Sequence, residues 1–236
     1  MKKPHRYFLA AFAILSIVNL MAVWFGLEIL NFTTKPLLVS CLAMWFYFKA
    51  EGNWPSFSRY FLLGLCFSVL GDTLLMFVKT GGEMFFLLGL GSFLLAQLSY
   101  VMAFFKFPNF KSGTIWRNKW LIFPFLFILG GLLWVLWSSL GAFLVPVVVY
   151  ASVIVTMFAF SFNMRNRVSN GVFILLYGGA ALFVLSDLII AMKKFKYPEM
   201  PENTSGVAIM ATYLFGQVLL TLGMSKASDA EIVKVK

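Results

Sequence analysis

Apolar residues run along this chain in stretches of about 20, each closed by Lys, Arg, Gly, Pro or Asn. A hydrocarbon core about 30 Å thick is crossed by a helix of about 20 apolar residues. The pattern therefore predicts eight spans, over 7–27, 35–50, 58–78, 83–105, 119–137, 140–161, 171–192 and 206–224. The second is short, and the fifth and sixth are parted only by Ser138, Ser139, Leu140 and Gly141. No soluble domain fits, because the longest polar connection is about a dozen residues. The expected fold is all-α, a polytopic membrane protein with eight transmembrane helices in a single domain over 1–236.

Composition narrows the class further. The chain is 61% hydrophobic and 12% charged, whereas a soluble domain averages about 45–50% apolar and about 25% charged residues. Too little polar surface exists to cover a water-soluble globule, and sparse charge excludes a disordered chain. Cys41 and Cys66 both fall in apolar runs and read as packing thiols, so a disulfide scaffold is excluded too.

Lysines and arginines exceed acids by 19 to 9. In a membrane protein this excess points to cytoplasmic loops and anionic headgroups, not to nucleic acid. Fourteen basic residues fall on the side of the N-terminus, while Lys35, Lys79, Lys193, Lys194 and Lys196 fall on the other. The bias places both termini in the cytoplasm of a multi-pass cell membrane protein, with Lys193 to Lys196 against the trend. Met1 to Arg6 is basic, but the run from Tyr7 to Leu27 exceeds a signal h-region and no small-residue cleavage site follows, so it is kept as the first span.

A faint repeat is visible. Val69-Leu70-Gly71-Asp72 matches Val184-Leu185-Ser186-Asp187, and Phe93 to Gln97 matches Tyr213 to Gln217. Two four-helix halves in parallel orientation, 1–110 and 111–236, would produce it.

Only Asp72 and Asp187 lie well inside predicted spans. A carboxylate at a helix centre costs about 2.5–3.5 kcal/mol on insertion scales, so it marks a pocket and usually a function. Asp72 lies seven residues before Lys79 and Asp187 six before Lys193. At 1.5 Å per residue each carboxyl sits about 10 Å below the outer boundary. Spans three and seven run the same way, so the two can share one level. Two such carboxyls in a dry pocket need not ionise together and can divide acid and base roles. That chemistry suits hydrolysis of an acid-labile ether. The coupled titration leaves the assignment of acid and base open.

Leu70-Gly71-Asp72-Thr73-Leu74-Leu75-Met76, the run Gly179 to Asp187, Lys35-Pro36 and the run Gly89 to Tyr100 together resemble the YhhN-like family. Characterised members of that family are lysoplasmalogenases. The resemblance implies an integral membrane hydrolase acting on the vinyl-ether bond of lysoplasmalogens. It implies release of a fatty aldehyde and glycerophosphoethanolamine or glycerophosphocholine, no metal or organic cofactor, and Asp72 with Asp187 as the catalytic pair. The family pattern places His in span four where this chain has Gln97, which cannot titrate but can still hydrogen-bond.

Further groups are candidates for binding the substrate. Lys35, read as an outer helix start, either holds the lipid phosphate or snorkels to the interface. Ser186 either bonds a carboxyl or its own helix backbone. Ser68 shares a helix face with Asp72. Gln97 with Tyr100, and Tyr213 with Gln217, line a lower cavity or tie helices together. Tyr150 and Tyr177 qualify through a polar tip only. The 28 phenylalanines and seven tryptophans read chiefly as lipid-facing. His5 is the single histidine, so neither a His triad nor an imidazole metal site is available, and no metal ligand is assigned. The substrate expected is a lysophospholipid drawn from membrane lipids, and the sequence carries no sign of oligomeric state. The rival reading is a proton- or cation-coupled transporter with Asp72 and Asp187 as its coupling site, although such folds favour inverted repeats and broken helices.

Overall fold

Inside a bilayer every backbone N–H and C=O must find its partner within its own segment. The apolar runs meet that demand as helices. The computed structural model describes residues 5–52 and 54–235. The tail lysines Lys2, Lys3 and Lys236, which enter the charge count above, lie outside these residues. Nine α-helices follow in order among the described residues: α1 His5–Trp24, α2 Glu28–Lys49, α3 Ser56–Met76, α4 Val78–Lys106, the short α5 Thr114–Arg117, α6 Phe123–Leu136, α7 Leu144–Phe162, α8 Asn170–Ala191 and α9 Glu202–Val235. Eight helical segments are long and apolar enough to cross a membrane, the fifth being α6 with its flanking 3-10 turns over Lys119–Ser139. No strand occurs among the described residues. The chain is a multi-pass membrane protein.

Two boundaries differ from expectation. Helix α2 begins at Glu28, so Lys35 lies two turns inside it and not at its start. The polar stretch that hid this start is satisfied within the protein. Thr34 Oγ1 donates to the Leu30 carbonyl at 2.7 Å, while Asn19 Nδ2 on α1 donates to Asn31 Oδ1 and Thr34 Oγ1, both at 2.9 Å. Helix α9 continues past the expected end at 224 to Val235. Its extension docks on the bundle through a Lys49–Asp229 ion pair and a Ser58–Ser228 hydrogen bond of 3.1 Å.

Neighbour by neighbour, α1, α2, α3, α4, α7, α8 and α9 close a ring, and α9 leans across to touch α2 and α3. Helix α6 packs on α7 outside this ring. The most extensive pairings are α3 with α4 and α8 with α9. Lipid tails give helices no hydrophobic reason to associate, so close backbone approach through small residues has to do it. Gly179 and Gly216 supply it for α8 and α9. A Cβ on Gly179 would stand 2.8 Å from the Gly216 carbonyl oxygen, closer than real Cβ atoms come. Between α3 and α4, Gly64 plays the same part against the Tyr100 ring, 2.4 Å from where its Cβ would be.

The aromatics correct the expectation of a mainly lipid-facing set. Phe61, Phe93, Phe104 and Phe183 are buried at the centre, although Trp134 on α6 is 82% exposed to the surroundings. Cys66 also faces outwards, while Cys41 is half-buried. At the end opposite the Lys79 loop, buried Arg167 caps α4 by donating to the carbonyls of Phe104, Phe107 and Pro108 at 3.0, 2.6 and 3.2 Å. Burial pushes its guanidinium down to about 10, so it stays charged at neutral pH.

Candidate functional site

The α3, α4 and α9 helices meet along a buried polar seam. Asp72, 3% exposed, accepts a 2.6 Å hydrogen bond from the Tyr213 hydroxyl. Gln217, one turn further along α9, donates through Nε2 to Ser68 Oγ at 3.1 Å and to the Tyr213 hydroxyl at 3.4 Å. Its Oε1 accepts from the Tyr100 hydroxyl at 3.0 Å. Ser68 in turn donates to the Gly64 carbonyl at 3.0 Å. Five of the residues anticipated from sequence thus form one network, and Gln217 ties three helices as a glutamine in hydrocarbon is suited to do.

Asp187 stands apart from that network. Half-buried on α8, it accepts a 2.5 Å hydrogen bond from the Tyr150 hydroxyl on α7. Phe93, which walls a space beside Asp187, packs on the Tyr213 ring that bonds Asp72, and so links the two carboxyls. Phe93, Phe183 and Tyr213 fill the region beside them edge to face, with ring centroids 5.4 to 6.3 Å apart. Lys35 also lies within electrostatic reach of Asp72, half-buried and without an ion pair among the described residues.

Two apolar spaces converge on Asp187 and Tyr150. The larger holds about 400 Å³ between α6, α7 and α8, and its walls run from Asp187 out to exposed Phe127 and Ile128. The smaller, about 60 Å³, is walled by Phe86, Phe93, Phe195 and the same Asp187–Tyr150 pair. Asp72 walls neither. Gln97 is fully buried close to Tyr150, yet neither its Nε2 nor its Oε1 makes a well-formed hydrogen bond among the described residues. An unsatisfied buried amide is rare enough to need a reason, and an ordered water or a ligand is the usual one.

Two expectations need correction, and a third residue finds its partner. Ser186 bonds neither carboxyl nor its own helix; its hydroxyl donates to the Ile209 carbonyl on α9 at 3.1 Å. Tyr150, a candidate through its polar tip, is the partner of Asp187. Tyr177 does not join the site. It stacks between Phe158 and Phe173 at 5.0 and 5.5 Å, and no hydrogen bond reaches its hydroxyl among the described residues. Sequence reasoning missed the aromatic group of Phe86, Phe143 and Phe195 at the cavity edge, for which no spacing gave a signal.

A ring of apolar helices that gathers two carboxyls, three tyrosines and two glutamines between its members defines a polytopic membrane protein with a polar site at its core. Residues 30–224 match the model of the YhhN family, and the chain belongs to that family. It is 31% identical over 206 residues to a Bos taurus protein named lysoplasmalogenase TMEM86A, covering 81% of this chain and 79% of that one. A Homo sapiens protein of the same name is 30% identical over the same length and coverage. No solved structure matches the chain.

Proposed function

We propose that this protein is a membrane hydrolase that cleaves the vinyl-ether bond of lysoplasmalogens, releasing a fatty aldehyde and the glycerophospho headgroup. The observation that carries the reading is a carboxyl, Asp187, held by Tyr150 in the wall of an apolar cavity that extends to the lipid-facing surface. Family membership and relatives named lysoplasmalogenase support the reaction class.

The chemistry follows from the bond. A proton passes from a carboxyl to the β-carbon of the vinyl ether and leaves an oxocarbenium ion. Water adds to that ion and gives its proton to the carboxylate just formed. The hemiacetal then collapses to aldehyde and alcohol, so the acid is regenerated. Because the alkenyl chain belongs in the cavity, Asp187 is the proton donor in this scheme. Asp72, buried under Tyr213, supplies a second negative charge towards the cation, as carboxylates do for glycosidic oxocarbenium ions. Lys35, Ser68, Tyr100, Tyr213 and Gln217 fix Asp72, and Gln97 orients the attacking water beside Tyr150.

Purified protein in detergent, given lysoplasmenylethanolamine and its acyl counterpart, is expected to release aldehyde from the first and no fatty acid from the second. Absence of aldehyde from a folded, monodisperse preparation overturns the proposal.

A further inference from the structure

We propose that Lys193, Lys194 and Lys196 form a phosphate-binding station at the mouth of the Asp187 cavity, which holds a lysophospholipid by its headgroup. The inference rests on the hydrolase reading for the lipid class, and its experiment is independent of turnover. After Ala191 the α8 helix widens into a π-helical turn over Met192–Lys196. Such turns recur at functional sites, and this one gathers three ammonium groups within five residues.

Lys194 is held in place by rings. Its Nζ lies 4.7 Å from the Phe86 centroid and 5.6 Å from that of Phe143, while Phe195 completes the platform at 5.6 Å from Phe143. A cation over aromatic faces is attracted by their quadrupoles and loses little further freedom when an anion arrives. Phe86 and Phe195 also wall the smaller space that contains Asp187, and Met192 walls the larger. Lys194 therefore adjoins the smaller space, with Lys193 and Lys196 on the same turn.

No carboxylate lies within 4.0 Å of Lys193, Lys194 or Lys196 among the described residues, whereas Lys79, at the same end of the bundle, takes Glu28 at 3.0 Å and Glu202 at 3.6 Å. Lys35, which the sequence leaves as either a phosphate ligand or a snorkelling lysine, walls neither space. From Asp187 to Lys194 is seven residues, about 10 Å of helical rise. In a lysoplasmalogen the phosphate and the ether sit at opposite ends of one glycerol, a separation that fits this distance once the ammonium–phosphate contact is added. An anion carrying an apolar tail matches both halves of the arrangement.

Binding of a non-cleavable hexadecyl ether lysophosphocholine and of the phosphate-free hexadecyl glycerol ether tests the proposal. Both are titrated against wild type and the triple variant Lys193→Gln, Lys194→Gln, Lys196→Gln in detergent. The variant is expected to bind the phospholipid at least about tenfold more weakly and the glycerol ether unchanged, as loss of charge-assisted contacts implies. Unchanged phospholipid binding, or equal weakening for both lipids, overturns it. Inorganic phosphate serves as competitor in a further arm. A site that takes phosphate but gives wild type no preference for the phospholipid over the glycerol ether belongs to the free anion, and the headgroup assignment fails. Lack of aldehyde release by wild type would remove the hydrolase reading and leave this binding comparison valid.

Discussion

The Tyr150 hydroxyl donates to the Asp187 carboxyl at 2.5 Å, and both residues wall the cavity. Removing the hydroxyl while keeping the ring therefore misaligns the acid without opening a hole. Tyr150→Phe is expected to lower kcat at least about tenfold with KM little changed, since a hydrogen bond to the carboxylate that forms in the transition state is worth about 1.5–3 kcal/mol. Tyr177→Phe, at a hydroxyl without a hydrogen bond among the described residues, is the control and should stay within about twofold of wild type. Gln97→Leu separates stability from activity: removing an unsatisfied buried amide should raise the melting temperature, while aldehyde release falls because the attacking water loses its anchor. Equal or faster turnover in Gln97→Leu would remove that residue from the mechanism. At this scale the sequence revealed which side chains were out of place in hydrocarbon, but not their partners. Asp72 and Asp187 stood out because an acid in a span is costly. That Tyr213 would reach Asp72, and Tyr150 reach Asp187, depends on helix rotation, and a Tyr in an apolar run reads equally well as core or interface. Ser186 illustrates the same gap, since its acceptor lies on a helix that no periodicity within α8 could point to.

Among the elements, hydrophobic length alone located eight spans, because the bilayer fixes how many residues a helix needs. Length could not give the ends of α2 and α9, where polar residues are satisfied by neighbouring helices and do not mark a turn. Nor could it give the π-helical turn after α8. Helix contact is decided at single glycines, which supplies a sharp comparison between neighbours in sequence. A Cβ on Gly179 meets α9 backbone, whereas one on Gly178 meets nothing within 4 Å. Gly179→Ala is expected to destabilise the protein by about 1–3 kcal/mol through overpacking, and Gly178→Ala to leave the melting temperature unchanged or raise it. Thermal unfolding of both variants in one detergent checks the pair; similar values would mean that α8 and α9 are not held by that approach.

Taken as a whole, the molecule is a lipid-embedded ring with one helix, α6, set outside it so that a cavity of about 400 Å³ remains between α6 and α8. In the proposed reaction an alkenyl chain enters there and reaches Asp187 without crossing water. Gly131 of α6 lines that cavity with open space where a Cβ would be. Gly131→Trp is therefore expected to lower turnover of long-chain lysoplasmalogens more than of short-chain ones, read as the ratio of kcat/KM between the two. An unchanged ratio would place the chain elsewhere. The central claim is that two carboxyls carry the reaction, and it is tested most directly by aldehyde release from lysoplasmenylethanolamine by purified wild type, Asp72→Asn and Asp187→Asn, all shown to be folded and monodisperse. The expected result is a fall of about 10²–10⁴ in kcat for Asp187→Asn, the usual contribution of a general acid, and a comparable loss for Asp72→Asn. Wild-type turnover in a folded Asp187→Asn protein would contradict the account.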